Sequence, residues 1–396
     1  MKPIITSRWE TDAYKLSMGM IFWLLFKDVI ARYVFVDRNK MPYIPGIIER
    51  MREQLEFVSE LPPGLDRAHY VKQKWPWMNW LFLEWFANHK FDPKQVKISL
   101  VDNQVSIVIE GPIHEVTYWE IYILRIYSCL YTEMSGRLPN PGWQQDAIDR
   151  ARFFFEHGIS WVEGGGRRPF NTKVHWDSLA LTAEEYLQKE KGKGGLMGTS
   201  WIEYAFQLGL MQFGTQAHEF GSFMGAKYGH DVANAKALET WVKVYGTKLG
   251  YVLPDTYGLK DFEKAFTFGY ADLFTGSRHD SGPYKEYIEW ILGVYKNPLI
   301  AIDPSTTKYV VHSNSIASLD EARELNEYMP GKYLRSLLIG GFHTNNVGFK
   351  PYNTVIKLWA LLLPSGISYA VKVPDDTRKS VGDPSTIALV LKAQGR

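Results

Sequence analysis

Two polar clusters in this chain could do chemistry together. His218 lies in GTQAHEF (214–220), after the apolar run LMQF (210–213), and Asp255 follows the next strand-like run, in LPDT (253–256). A carboxylate accepting one ring N–H fixes the imidazole tautomer and makes the other nitrogen a better nucleophile. The second cluster is SRHDSG (277–282), where Arg278 and Asp280 flank His279 and the pair Ser281–Gly282 tightens the turn. Arginine suits a phosphate, and an ionised aspartate accepts hydrogen bonds from sugar hydroxyls. The same residues also fit a turn closed by a local ion pair.

Two glycine-bearing turns add anion-binding chemistry. Arg167 and Arg168 follow Gly164, Gly165 and Gly166, where a bare backbone lets a ligand approach the guanidinium groups. Gly340 and Gly341 follow the apolar run LRSLLI (334–339), with Thr344, Asn345 and Asn346 next. Exposed N–H groups at such a turn form an anion-binding concavity, although a glycine pair also serves as a plain tight turn. No HExxH, Asp-rich metal motif, Walker A loop or GxGxxG is present, so metalloprotease, P-loop and Rossmann readings are set aside.

These residues sit at the ends of recurring apolar runs. GISWVE, GGLM, LMQF, GYVLP, YADLFTG, KYVV and LRSLLI each end in a polar or glycine-rich turn between residues 158 and 341. Most are followed by a helix-like segment. That alternation indicates parallel βαβ construction, closing into a barrel, with the polar residues on the face where the βα loops converge. Loops are polar in any fold, which is the plainer account. Ahead of this region, 11–27 and roughly 115–134 read as helices. ARYVFVD (31–37), KISLVDN and VSIVIEG (97–111) read as strands, and PNPGW (139–143) reads as a boundary.

Composition narrows the class. The chain has 396 residues, 45% apolar and 22% charged, with 14 Trp, 23 Tyr and 21 Phe, so it must bury a large core. Lys plus Arg number 45 against 43 Asp plus Glu, a net of +2, which gives no bulk charge for nucleic acid or an anionic membrane. Its one cysteine, Cys129, lies in an apolar run and excludes an internal disulfide. The longest apolar runs, 18–26 and 75–86, fall short of a membrane span, and the charged N-terminus is unlike a secretory signal. A cytoplasmic protein is expected.

In order along the chain, TDAYKLSMG (11–19), GPIHEVTYWE (111–120), GTS (198–200), GTQAHE, LPDT, RHDSG, TNN (344–346), NTVIKL (353–358) and AVKVPD (370–375) resemble the motifs of the bacterial ATP-coupled nicotinate phosphoribosyltransferases. The resemblance implies a type II phosphoribosyltransferase: an irregular TIM-like α/β barrel with a second mixed α+β domain built from the two chain ends. Residues 1–140 would form an N-terminal mixed domain, 141–350 the barrel, and 351–396 a segment packing back on the first. It implies a homodimer with active sites at the interface. The reaction would join nicotinate to phosphoribosyl pyrophosphate, coupled to ATP through a phosphohistidine, with Mg2+ accompanying the phosphates.

The resemblance also implies roles. His218 would be phosphorylated, with Asp255 as its partner. Tyr14 would stack on the pyridine ring from the other subunit, with Arg167 beside ring and diphosphate. Ser200 stands where nicotinamide-using relatives have Asp, and its hydroxyl could donate to a carboxylate. Arg278, Asp280 and Ser281 would meet diphosphate and ribose, Gly340 and Gly341 the 5′-phosphate, and Lys372 and Lys379 further phosphate oxygens. Three departures stand out. Gly164 replaces the Phe that sandwiches the ring, so that Trp161 or Trp201 would have to substitute. The second Asp of RHDSGD is missing before Pro283, and Asn314 replaces a carboxylate. They keep two other readings in play: a non-catalytic relative that binds pyridine nucleotides or phosphoribosyl compounds, and a nicotinamide-using enzyme.

Overall fold

The computed structural model describes residues 2–187, 194–299, 308–313, 316, 318–328 and 334–396. The N-terminal part contributes helices α1 (Ala13–Leu25), α2 (Ile47–Ser59), α3 (Leu65–Lys74), α4 (Trp80–Asn88), α5 (Ile113–Val116) and α6 (Trp119–Met134). Its strands are β1 (Ile30–Asp37), β2 (Val96–Val101) and β3 (Gln104–Pro112). The sequence WEIYILRIYSCLYTEM is apolar on nearly every side, and α6 is accordingly buried over almost its whole length.

Beyond residue 143 strands and helices alternate. The order is α7 (Trp143–Glu156), β4 (Ser160–Glu163), α8 (Thr172–Leu187), β5 (Gly195–Thr199), α9 (Ile202–Leu208), β6 (Met211–Gln212), α10 (His218–Tyr228) and α11 (Ala233–Tyr245). There follow β7 (Tyr251–Val252), α12 (Leu259–Ala265), α13 (Phe268–Leu273), β8 (Gly276–His279), α14 (Tyr284–Tyr295), β9 (Tyr309–His312), α15 (Leu319–Tyr328), β10 (Leu334–Ile339) and α16 (Gly341–Thr344). The chain ends with β11 (Thr354–Leu363), β12 (Gly366–Tyr369) and α17 (Pro384–Ala393).

Two sheets result. One is antiparallel, in the order β12-β11-β1-β3-β2, so the late strand β11 pairs with β1 along its length. The other is parallel and seven-stranded, in the order β6-β5-β4-β10-β9-β8-β7. It curls as the alternating pattern requires, but β6 and β7, two residues each, do not pair with each other. The sheet is therefore a barrel left open at one seam.

One strand reading is corrected. YADLFTG was expected to be a strand, but its first half lies in helix α13. The strand is instead GSRH, so Arg278 and His279 belong to β8 itself and not to the turn beyond it. A short apolar run cannot be assigned by periodicity, and the decision falls to tertiary packing. Gly276 permits close strand approach here, since a Cβ at that position would lie 2.4 Å from the Tyr309 carbonyl oxygen.

The chain ends are tied to the barrel by backbone bonds. Ala13 N–H donates to the Ser200 carbonyl at 2.6 Å, and Asp12 and Trp201 form an antiparallel bridge. Val373 N–H donates to the Thr256 carbonyl at 2.8 Å, and Lys372 bridges to Val381. Asp383 caps the last helix by accepting from Thr386 N–H at 2.8 Å, with Pro384 in the first turn. These ties bring Asp12, Tyr14 and Lys372 to the ends of the barrel strands.

Candidate active site

A cavity of about 250 Å³ lies between the open face of the barrel and strand β11. Tyr14, Arg167, Ser200, His218, Arg278, Asp280 and Lys372 all line it, although they are spread over more than 350 residues of sequence. Strand β11 contributes Ile356, Lys357 and Leu358, and the barrel side contributes Gly164, Phe213 and Leu338.

His218 opens helix α10, where unpaired N–H groups and the helix dipole favour an anion. Its Nδ1 lies 3.2 Å from Thr256 Oγ1. Its Nε2 lies 2.9 Å from Asp280 Oδ2, 2.8 Å from Lys372 Nζ and 3.6 Å from Asp255 Oδ1. Asp280 calls for a proton on Nε2, whereas Lys372 calls for a lone pair there. Burial lowers the imidazole pKa against the attraction of Asp255, so the neutral ring is favoured. Burial alone would raise the Asp280 carboxyl. The hydrogen bond from His218 and the charge of Arg278 overcome it and hold the group well below the usual carboxylate range.

Asp255 lies within ion-pair range of His218, at 3.6 Å from Nε2, and the opposite ring nitrogen has a partner of its own. Thr256, the residue after Asp255, reaches Nδ1. Asp255 sits on the Nε2 side, where it accepts from Lys372 Nζ at 3.1 Å and from Ser281 Oγ at 2.6 Å. Arg278 is held by the Ser313 hydroxyl (2.9 Å), the Gln216 carbonyl (3.1 Å) and Asp280 (3.3 Å).

The other end of the cavity is organised by Arg167. Its guanidinium lies 3.5 Å from Asp12 Oδ2 and 3.3 Å from Glu120 Oε1, and donates to the Tyr14 hydroxyl at 3.3 Å. The glycine turn before it leaves no room for side chains: a Cβ at Gly166 would stand 2.0 Å from the Trp201 ring. Ser200 Oγ donates to Asp12 Oδ1 at 2.5 Å. Burial raises the Asp12 carboxyl to about 6, despite Arg167 and this hydrogen bond. Beneath them, buried Lys15 pairs with Glu120 at 2.8 Å and with Glu219, which also accepts from Tyr33 at 2.6 Å.

Several expectations shift. Tyr14 lines the cavity of its own chain, where the Asp12–Trp201 bridge docks the start of α1 on the barrel. Trp161 and Trp201 do not replace the missing ring. Both are fully buried outside the cavity, Trp161 against Phe154 and Trp201 under Arg125. The rings that line it are Tyr14, Phe213, Tyr251 and Tyr309.

Leu338 fills the space beside Gly164, where a Cβ would lie 2.8 Å from its Cδ1. Gly340 and Gly341 lie behind that turn, packed towards Gly164 and Pro351, and do not line the cavity. Ser281 is turned to Asp255, and Lys379 is exposed on the turn 377–379. Asn314 lies outside the described residues.

Asp12, Lys15, Glu120, Glu219, Thr256 and Lys357 went unassigned in the sequence. All six fall inside or beside motifs that marked the resemblance, which was the available signal.

Comparisons with known proteins agree over the whole chain. Residues 9–128 match the model of the nicotinate phosphoribosyltransferase N-terminal domain, and residues 162–372 match that of the nicotinate phosphoribosyltransferase family. The nicotinate phosphoribosyltransferase of Methanococcoides burtonii is 30% identical over 99% of this chain and 98% of its own. That of Chromohalobacter salexigens is 29% identical over 98% and 97%. The crystal structure of the Porphyromonas gingivalis nicotinate phosphoribosyltransferase superposes with a TM-score of 0.93 at 30% identity, covering 99% of this chain and 100% of that one.

Proposed function

The chain belongs to the nicotinate phosphoribosyltransferase family, and from that premise we propose that it joins nicotinate to phosphoribosyl pyrophosphate, giving nicotinate mononucleotide and diphosphate for NAD salvage. The observation that carries the reading is the single cavity with Tyr14, Arg167 and Ser200 at one end and His218, Arg278, Asp280 and Lys372 at the other. The first group suits a flat anionic ring, and the second suits a phosphorylated sugar.

The transfer develops positive charge at the ribose carbon and negative charge on the leaving diphosphate. Arg278, fixed by three acceptors, and Lys372 offer positioned cations for the diphosphate, which lowers the barrier without reorganisation. Asp280 stays ionised and can face the developing sugar cation. Tyr14 and Phe213 supply ring faces, and the pyridine nitrogen, already nucleophilic, needs only to be held in line. All the lining residues named here belong to one chain, and a homodimer with its sites at the subunit interface is part of the proposal.

ATP coupling through phosphorylated His218 is part of the proposal. The neutral imidazole at a helix N-terminus, with Thr256 at Nδ1, is disposed for Nε2 to attack a phosphoryl group. Mg2+ fits the carboxylates beside it. Asp255 Oδ1 is buried without a hydrogen-bond partner among the described residues, and donor atoms of His218, Asp255 and Asp280 lie within 4.8 Å of one another. Asp255 and Asp280 would hold the ion, which neutralises phosphate charge when bound.

A second reading has one observation behind it. The Ser200 proton is already given to Asp12, and the acceptor face this leaves suits the amide of nicotinamide. The deciding assay incubates the purified protein with phosphoribosyl pyrophosphate, Mg2+, ATP and either base. Mononucleotide from nicotinate is expected. Product from nicotinamide alone overturns the choice of base, and tight nucleotide binding without product points to a non-catalytic relative.

A further inference from the structure

One guanidinium lies fully buried behind the ring end of the site. Arg125 is the only basic residue of helix α6 and does not line the cavity. It donates to the Tyr204 hydroxyl at 2.8 Å, to His175 Nδ1 at 2.9 Å and to the Gly166 carbonyl at 3.0 Å. Its ion pair with Glu10, at 3.4 Å, is the longest of these four contacts. The guanidinium carbon also lies 4.6 Å from the centre of the Trp201 ring. A buried ion pair is often no more stabilising than a well-packed apolar side chain. What only a rigid fork of N–H donors can do is hold acceptors from three elements at fixed angles. Here these are α8, α9 and the turn after β4.

Those contacts fall on the two turns that carry the ring-end residues. Gly166 immediately precedes Arg167, and Trp201 immediately follows Ser200. Three glycines in a row have more backbone freedom than any other sequence, so the aim of Arg167 depends on what holds them. Gly164 N–H donates to the Ile339 carbonyl at 2.8 Å, Gly165 N–H to the Glu163 carboxylate, and the Gly166 carbonyl accepts from Arg125. Glu163 also accepts from the Thr199 hydroxyl at 2.5 Å and lies 3.4 Å from His175 Nε2. Arginine only donates, so His175 Nδ1 must accept and its proton stands on Nε2, towards Glu163. One buried chain, Arg125–His175–Glu163, thus links the turn before Arg167 to the turn before Ser200.

We infer that Arg125 is a positioning residue for Arg167: it fixes the Gly166 carbonyl and so aims the next guanidinium at the carboxylate of the base. This rests on the reaction proposed above and adds to it a residue that touches no substrate.

The test uses the full chain and initial rates with each substrate varied in turn. Arg125→Met is expected to raise the KM for nicotinate roughly 10- to 100-fold. The KM for phosphoribosyl pyrophosphate stays as in wild type and kcat changes little, the pattern of lost ground-state binding. In an Arg167→Lys background Arg125→Met adds no further rise, since the two residues act as one unit. Glu10→Gln weakens the ion pair but spares the Gly166 contact, and keeps the nicotinate KM of wild type. Should Arg125→Met not fold, Arg125→Met with Glu10→Gln removes the pair without stranding a charge and carries the same expectation.

An unchanged nicotinate KM in the folded Arg125 variant overturns the inference. So does an equal rise for both substrates, a rise that multiplies with that of Arg167→Lys, or as large a rise in Glu10→Gln alone. In each of those outcomes wild type still makes mononucleotide and the proposed reaction stands. Wild type that makes none from nicotinate overturns both.

Discussion

Asp12 accepts the hydroxyl proton of Ser200 across 2.5 Å, and Arg167 lies 3.5 Å from the other oxygen of the same carboxylate. The residue that could greet a nicotinate carboxylate has therefore already given its proton away. It is freed when Asp12 itself holds a proton, which burial brings within reach at about pH 6. The KM for nicotinate is expected to rise as pH climbs above about 6, and Asp12→Asn to flatten that rise. Initial rates between pH 5.5 and 8.5 check this; a flat wild-type profile would sink it.

The same carboxylate bears on stability. Folding raises its pKa, so the folded chain binds more protons than the unfolded chain between roughly pH 4 and 6. Its contribution is best below that window and declines as pH rises through it. Asp12 also stands at the N-cap of α1 without capping it. Asp12→Asn is expected to stabilise the fold at pH 7 to 8 by up to about 3 kcal/mol, read from urea unfolding, with the gain shrinking towards pH 4.

His218→Ala is expected to abolish ATP coupling while leaving weak ATP-independent transfer. Thr256→Val removes the oxygen at Nδ1 and is expected to lower coupled turnover roughly 10-fold, with little change in the uncoupled rate. Undiminished ATP hydrolysis by His218→Ala would contradict the role given to the ring.

Gly164→Phe, which supplies the aromatic that the resemblance implies, is expected to lower activity here, because a Cβ at 164 would meet Leu338 Cδ1 at 2.8 Å. Gly164→Phe combined with Leu338→Ala opens the space and is expected to recover it. Measuring kcat/KM for both variants tests whether leucine and ring exclude each other.

Lys15→Met leaves Glu120 and Glu219 buried without their shared cation. A broken buried pair costs about 3–5 kcal/mol, and chemical denaturation should show a loss of that order. Adding Glu219→Gln should return part of it.

The alternating barrel strands and β1 to β3 were legible because they rest on local patterns, apolar runs ending in polar turns and β-rich runs near the chain start, whereas the open seam and the pairing of β11 with β1 were not. The motifs likewise placed Tyr14, Arg167, Ser200, His218, Arg278, Asp280 and Lys372 as candidates, and all seven line one cavity. YADLFTG was not legible, because six or seven apolar residues suit a helix and a buried strand alike.

Residue types and their order thus determined the chemistry available to this protein: an imidazole, two aspartates, several cations and flexible glycine turns. Only the tertiary structure decided which of them touch. Thr256 and not Asp255 reaches Nδ1, Ser200 is spoken for by Asp12, and Gly340 stands behind the wall. Hydrogen bonds and ion pairs act over a few ångströms, and those distances are set by how β11 and the start of α1 dock on the barrel, which no local pattern encodes.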